Sequence, residues 1–199
     1  SGTLPAQPQR SRYPLYTGLL SLLVVFLVGL YFVFQWGWAI VPIGLLGVLT
    51  IVAYTPVMTR SPIFCLLAPG FGFGLFMVNG AYFALTGQYS WSAFFASLIP
   101  LFLVSNLLLI NQFPDLEADR EAGRRHLIIV HGRRAGVRVF TIFLAACYLT
   151  ILLAALFGPL PIWSLLGLLT LPLAVQIARG LAAENDDIPA LIPFMGKNV

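Results

Sequence analysis

Residues 91–125 read WSAFFASLIPLFLVSNLLLINQFPDLEADREAGRR, and they contain the sharpest change from apolar to charged sequence in the chain. The first twenty carry no charge, and about twenty apolar residues let a helix cross the hydrocarbon core of a bilayer. Seven charged side chains then occur within eleven positions, from Asp115 to Arg125. Between positions 13 and 112, by contrast, Arg60 is the only charged residue. A membrane protein with such a concentration of charge, and with acids spaced four apart, is a candidate for metal and phosphate chemistry at the membrane surface.

The composition of the 199-residue chain is that of an integral membrane protein. It is 59% hydrophobic and 9% charged, with a mean hydropathy of +0.92, whereas soluble domains carry about 25% charged residues. Basic loops on one side of a membrane explain the net charge of +4, so this charge does not indicate nucleic-acid binding. Cys65 and Cys147 lie in apolar segments and are expected to be small buried hydrophobes, not a disulfide or a metal pair.

Six apolar segments approach the length of a membrane span. They must be helices, because lipid leaves an open backbone without hydrogen-bond partners and because barrel strands would be about ten residues long with alternating polarity. The predicted spans are 13–34, 38–57, 62–85, 91–110, 137–157 and 162–178. A seventh apolar segment begins near Ile188. We therefore predict an all-α membrane bundle, a single transmembrane domain over residues 1–199 that is a piece of a longer domain, truncated at both ends.

The charges predict the orientation of this bundle. Basic residues occur only at alternate breaks between the spans, and the breaks at 35–37, 86–90 and 158–161 carry no charge. By the positive-inside rule, the N-terminus and the Asp-rich loop at 111–136 are cytoplasmic. We predict a protein of the bacterial inner membrane with this loop facing the cytoplasm.

The Asp-rich loop contains oxygen-bearing side chains at a regular interval. Asn111, Asp115 and Asp119 are spaced i, i+4, i+8, and on a helix they would line one face, with Pro114 starting or kinking that helix. Mg²⁺ prefers oxygen ligands, keeps several waters and is commonly completed by substrate phosphates. A solvated loop with weak ion pairs explains the spacing equally well. The position favours a binding site, because the motif continues directly from a membrane helix.

Further polar residues near the motif carry less weight from sequence alone. Arg120, Arg124 and Arg125 could hold phosphate groups through paired hydrogen bonds. His126 and His131 are better explained as solvated or structural loop histidines than as ligands or bases.

The pattern Asn111-x3-Asp115-x3-Asp119-x3-Gly123-Arg124-Arg125-His126-Leu127 resembles the second Asp-rich motif of the UbiA superfamily of intramembrane prenyltransferases. In that family the acids are followed by Gly, a basic residue and a short Thr-Leu-type run. Arg124 stands where Lys is common, and His126 stands where Thr is common.

Other parts of the chain resemble the same family in the expected order. Tyr54-Thr55-Pro56, followed by Arg60, resembles its Tyr-Ser/Thr-x-Pro loop. Residues 1–5 resemble the segment after its first Asp-rich motif, especially in the menaquinone-pathway branch, and residues 198–199 resemble the start of its last helix. The family has nine transmembrane helices, so the segments here would be helices three to nine.

The resemblance implies Mg²⁺-dependent transfer of a prenyl group from a polyprenyl diphosphate to an aromatic acceptor, with dihydroxynaphthoate as the first choice of acceptor. A Phe-rich bundle offers the dry, aromatic cavity that an allylic cation and an isoprenoid tail need. The first Asp-rich motif lies outside the sequence, so this segment alone is expected to be inactive. The implied metal ligands are Asn111, Asp115 and Asp119, the last two being catalytic, and the implied substrate-binding residues are Arg124, Arg60 and Tyr54.

Two other classes stay open at this point. A transporter or membrane scaffold with a charged cytoplasmic loop would place polar groups near the bilayer midplane, and Asn79 and Asn106 are the few strongly polar residues within the spans. A CDP-alcohol phosphotransferase is less favoured, because its D-x-x-D-G-x-x-A-R pattern is absent from the sequence. Hydroxybenzoate, homogentisate, a chlorophyllide and a haem also stay open as acceptors.

Overall fold

The computed structural model describes residues 12–183 and 188–197, and these ranges contain helices and no strand. The α-helices are α1 (Arg12–Trp36), α2 (Val41–Tyr54), α3 (Pro62–Gly70), α4 (Met77–Thr86), α5 (Trp91–Asn111), α6 (Leu116–Glu121), α7 (Leu127–His131), α8 (Arg133–Leu156), α9 (Leu171–Ala183) and α10 (Ile188–Lys197). A π-helical segment, Phe71–Phe76, joins α3 to α4. Short 3-10 segments are Trp38–Ile40, Met58–Arg60 and Ile162–Thr170. The predicted all-α membrane bundle is confirmed; the resemblances at residues 1–5 and 198–199 lie outside the described residues.

Within the described ranges, five helices are long and apolar enough to cross a membrane by length and composition. They are Tyr13–Trp36, Pro62–Thr86, Trp91–Asn111, Arg133–Leu156 and Ile162–Ala183. The second predicted span, 38–57, is instead a shorter apolar helix over Trp38–Tyr54. It ends early because Pro56 has no N–H to donate to a carbonyl in the preceding turn.

The fifth predicted span also has different bounds. We expected it to begin at residue 137, but α8 begins at Arg133, so the Asp-rich loop is shorter than 111–136. Gly132 precedes the helix with φ +80°, a conformation that glycine adopts readily. The long aliphatic stems of Arg134 and Arg138, whose side chains are exposed, let the first turns of α8 remain helical while the charged heads reach water.

The centre of the bundle is α5, which packs against α8 and against α3 with its π-helical extension. A Cβ atom on Gly70 would meet the Leu101 carbonyl oxygen and the Ser105 hydroxyl, and one on Gly74 would meet the Leu101 backbone. The two helix backbones therefore lie in direct contact, as small residues permit in membrane bundles. On the α8 side, the Asn106 amide donates to the Phe140 carbonyl at 3.0 Å. These contacts fix the part of α5 that precedes the Asp-rich motif.

Apolar side chains anchor the segment after α5 to the end of the bundle. Phe113 and Leu116 from the motif, and Leu127 and Ile128 from α7, are buried in the same cluster as Phe140 of α8. Burial of side chains of this size contributes about 1.5–3 kcal/mol each. The polar residues between these anchors are therefore held against the bundle and are not part of a freely solvated loop.

Candidate functional site

The Asp-rich motif is not a single helix. The last residue of α5 is Asn111, residues 112–115 form turns, and α6 begins at Leu116. Our expectation that Asn111, Asp115 and Asp119 line one continuous helix face is therefore wrong. Pro114 explains the break, because its ring clashes with the carbonyl four residues earlier and disfavours helical geometry at Phe113.

The three predicted metal ligands differ in their environment. Asn111 and Asp115 have exposed side chains that make no hydrogen bond or ion pair with any described residue. Asp119 is held more firmly, since only 13% of its side chain is exposed. Its backbone N–H donates to the Asp115 carbonyl at 2.8 Å, which links the turn to α6. The motif therefore offers two unengaged oxygen-bearing side chains beside one engaged carboxylate.

Both carboxylate oxygens of Asp119 have a basic neighbour. Arg124 Nη1 donates to Oδ1 at 2.9 Å, and His126 Nε2 lies 3.3 Å from Oδ2. The Arg124 backbone N–H also donates to the Asp119 carbonyl at 3.0 Å. Gly123, with φ +74°, makes the turn that brings Arg124 back onto α6. The Asp119 carboxylate and the Arg124 guanidinium of the predicted site thus form an ion pair.

His126 is a buried structural residue and not a solvated one. Its side chain is 1% exposed, and its Nδ1 accepts from the Ile129 N–H at 3.4 Å as the N-cap of α7. Burial lowers the pKa of His126 despite the nearby acids. The ring is therefore neutral at pH 7, and because Nδ1 is an acceptor its proton lies on Nε2, on the side of Asp119.

Sequence reasoning placed His126 among the loop residues and missed its contact with Asp119. One feature of the sequence could have drawn attention to His126. It stands directly after the two arginines, at a position where the resembling family commonly has Thr. The burial of the ring depends on how α7 packs against the bundle, and that packing is not visible in the sequence.

The predicted substrate contacts Tyr54 and Arg60 lie at the same end of the bundle as the motif. The Arg125 N–H donates to the carbonyl of Thr59 at 2.9 Å, which joins the loop after α2 to the loop after α6. Tyr54 is half-buried near the Cys65 thiol.

Arg60 follows Thr59 directly. Its side chain is exposed, and it forms no ion pair with a described residue. It is therefore a free cation on the rim beside the motif.

The donor set fits Mg²⁺ better than a metal held by protein ligands alone. Within residues 12–183 and 188–197, no three His, Cys, Asp or Glu side chains form a group that could hold a metal ion. The motif instead offers two carboxylates and one amide oxygen. Mg²⁺ usually binds one or two carboxylates, retains waters and takes phosphate oxygens as its remaining ligands.

Two curated proteins are similar to this chain. It is 25% identical over 181 residues to the 1,4-dihydroxy-2-naphthoate octaprenyltransferase of Bacillus subtilis, a match that covers 90% of this chain and 58% of that protein. It is 28% identical over 149 residues to the 2-carboxy-1,4-naphthoquinone phytyltransferase of Synechocystis sp., covering 71% of this chain and 48% of that protein. The chain thus spans about half the length of the curated relatives that it matches.

No solved structure matches the chain significantly. The sequence profile of the UbiA prenyltransferase family, however, matches residues 8–197, which is nearly the whole chain. The bundle and the resemblance of its Asp-rich motif agree with that match. The chain belongs to the UbiA prenyltransferase family.

Proposed function

We propose that this protein transfers a prenyl group from a prenyl diphosphate to an aromatic acceptor at the cytoplasmic face of a membrane, as a step in quinone biosynthesis. The Asp119–Arg124 pair beside the unengaged carboxylate of Asp115 is the observation that carries the proposal. It combines acidic metal ligands with a cationic phosphate donor at the end of a membrane helix. Membership of the family and the names of both relatives support the same reaction class.

For the acceptor we propose a bicyclic naphthalene-type ring, such as dihydroxynaphthoate. The two similar proteins are named for naphthoate and naphthoquinone acceptors. Their names give different prenyl groups, octaprenyl and phytyl. The comparison therefore supports a class of acceptor but no length for the donor chain.

Each site residue has a task in this reaction. Asn111 and Asp115 would hold Mg²⁺ with their free oxygens, together with Asp119. Bound Mg²⁺ would supply positive charge that stabilises the departing diphosphate. Arg124 exchanges its partner, leaving Asp119 and donating to the diphosphate oxygens, a geometry for which its planar guanidinium is suited. Tyr54, half-buried at the end of α2, would contact the substrate at this end of the bundle.

In the transfer itself, the carbon–oxygen bond of the prenyl diphosphate breaks and its electron pair leaves on the diphosphate. An aromatic ring carbon of the acceptor then bonds to the allylic carbon. That ring carbon releases a proton, or its carboxylate as carbon dioxide, and the bonding electrons left behind restore the aromatic ring. The protein excludes water with the apolar bundle beneath the motif, because an allylic cation exposed to water would be captured by it.

The polar residues within the spans give no support to a transporter. The amide of Asn79 donates to the Leu75 carbonyl at 2.8 Å, one turn earlier in its own helix. Asn106 donates to Phe140 on a neighbouring helix. The Asn79 amide therefore bonds within its own helix and the Asn106 amide joins α5 to α8, and no specific observation favours the transporter or the phosphotransferase.

The test is a prenyl-transfer assay with the full-length protein that contains these residues, supplied with Mg²⁺, octaprenyl diphosphate and 1,4-dihydroxy-2-naphthoate. Asp115→Asn should lower kcat by about 100-fold or more, because a neutral amide is a weaker metal ligand than a carboxylate. Glu117→Gln is the matched control, since Glu117 is exposed and pairs only with Arg120. Wild-type activity of Asp115→Asn at saturating Mg²⁺ would contradict the ligand assignment. Lack of transfer to any aromatic acceptor by the wild type would overturn the proposed function.

A further inference from the structure

Asp119 has two basic partners, and their side chains differ in how far they are exposed. The side chain of Arg124 is 50% exposed and that of His126 is 1% exposed. An exposed guanidinium can turn toward an arriving diphosphate with little change in its surroundings. The imidazole is enclosed by the protein. When Arg124 is withdrawn, His126 is therefore the basic neighbour that stays beside the carboxylate.

The orientation of the His126 ring is set by the start of α7. Its Nδ1 accepts from the Ile129 N–H, and the next two side chains, Leu127 and Ile128, are buried in the core cluster. With Nδ1 held in this way, Nε2 points toward Asp119, 3.3 Å from Oδ2. This distance is within the range of a hydrogen bond, and Asp119 is the acid that Nε2 faces. A buried N–H left without an acceptor would cost about 1–3 kcal/mol, so Oδ2 of Asp119 is the acceptor that this N–H requires.

We propose that His126 is a positioning residue that holds Oδ2 of Asp119 and thereby turns Oδ1 toward the metal and diphosphate once Arg124 has moved. This inference rests on the proposed function, because it concerns the same site. Outer-shell groups that orient a ligating carboxylate typically change metal affinity or activity by about 10–100-fold when removed. Thr, common at this position in the resembling family, can cap a helix but is too short to reach Asp119.

Substitutions can separate capping of α7 from the contact with Asp119. His126→Thr and His126→Asn retain a good N-cap but lose the group at the position of Nε2. His126→Gln weakens the cap but keeps an amide donor at about the distance of Nε2. A purely structural role predicts that Gln is the most harmful substitution. A positioning role predicts that Gln preserves the response to Mg²⁺ and that Thr and Asn impair it.

The experiment uses the full-length protein in detergent and two measurements. One is the Mg²⁺ concentration for half-maximal prenyl transfer. The other is the rise in thermal unfolding temperature that Mg²⁺ causes with inorganic pyrophosphate held constant, against pyrophosphate alone. For Thr and Asn we expect about a tenfold higher half-maximal Mg²⁺ concentration and a smaller rise, with near wild-type unfolding temperatures before Mg²⁺ is added. For Gln we expect a lower starting temperature and a wild-type response to Mg²⁺.

The outcomes separate this inference from the proposed function. If the wild type responds to Mg²⁺ and the Thr and Asn variants respond identically, the positioning role is overturned and the proposed function stands. If Gln loses the response to Mg²⁺ as fully as Thr, the donor to Asp119 is not the cause and the positioning role is likewise overturned. If the wild type neither transfers prenyl groups nor responds to Mg²⁺, both are overturned.

Discussion

The backbone N–H of Arg125 donates to the carbonyl of Thr59 at 2.9 Å, and through this bond the loop after α2 lies against the Asp-rich motif. Thr59 is itself buried, and its hydroxyl donates to the Thr55 carbonyl at 2.7 Å. The two loops therefore form one surface at one end of the bundle. This surface carries the acids of the motif together with the exposed cation of Arg60.

Arg60 should contribute to diphosphate binding more than to the chemical step. Because its side chain is exposed beside the motif, Arg60→Gln removes an attraction that acts on bound substrate throughout the reaction. We expect the KM for the prenyl diphosphate to rise by about tenfold with little change in kcat, as for loss of uniform binding. Arg120→Gln is the control, since Arg120 is engaged with Glu117 at 3.0 Å. A fall in kcat at unchanged KM would place Arg60 in the chemical step instead.

Arg124 should tolerate one substitution and not another. Lysine retains the charge, and it is the residue that the resembling family commonly has at this position. Arg124→Lys should therefore keep most of the activity, whereas Arg124→Gln should lower kcat/KM by about 100-fold, a typical cost of removing a donor to developing charge. Steady-state assays of the two variants over a range of prenyl diphosphate concentrations would give the two values of kcat/KM. Equal activity of both would show that the ion pair with Asp119 serves only the fold.

Stability of the fold should fall in mild acid because of His126. Burial holds its pKa below the ordinary value of about 6.5. Below pH 6.5 the unfolded chain therefore binds a proton that the folded chain does not bind, and folding is opposed until the folded pKa is reached. The thermal unfolding temperature should drop between pH 7 and pH 5 in the wild type and drop less in His126→Asn. A pH dependence of His126→Asn equal to that of the wild type would contradict this role of His126.

The contact between α3 and α5 should be intolerant of a single added methyl group. At Gly74 a Cβ atom would meet the Leu101 backbone, which cannot move aside. Gly74→Ala should destabilise the protein by about 1–3 kcal/mol, the usual cost of overpacking, seen as a lower thermal unfolding temperature. Gly72 lies in the same π-helical segment with no atom near its added Cβ, so Gly72→Ala should be harmless. Equal effects of both changes would contradict the close packing.

The membrane spans followed from the sequence because a bilayer requires long uninterrupted apolar runs, and 91–110 is such a run. The start of α8 was misplaced, because charge was used to end the span although arginine stems allow the helix to continue through Arg133 and Arg134. Pro114 predicted a start or a kink in the Asp-rich helix, yet the regular spacing of the acids was still interpreted as one helix face. The effect of proline on the local backbone outweighed the helical spacing of the acids.

The candidate site was only partly accessible from sequence. The acids and Arg124 were found because their types and spacing suit metal and phosphate. The position of Tyr54 beside Asp119 came from a resemblance and not from any spacing along the chain. His126 was missed, because a histidine next to two arginines is ordinarily solvated, and its burial depends on α7 folding back onto Phe113 and Gly136.

The π-helical segment Phe71–Phe76 also affects how many residues lie between α3 and α4. A π-turn holds one residue more than an α-turn, and each residue of an α-helix advances the side chains by about 100°. Deleting one residue here would restore regular α-geometry, and because the wider π-turn absorbs the extra residue, the side chains after it would keep nearly their present orientation. Asn79 and Phe83, both buried in α4, would then still face their present neighbours. A relative that lacks this extra residue should therefore align with both sides of Phe71–Phe76 once a one-residue gap is placed within the segment.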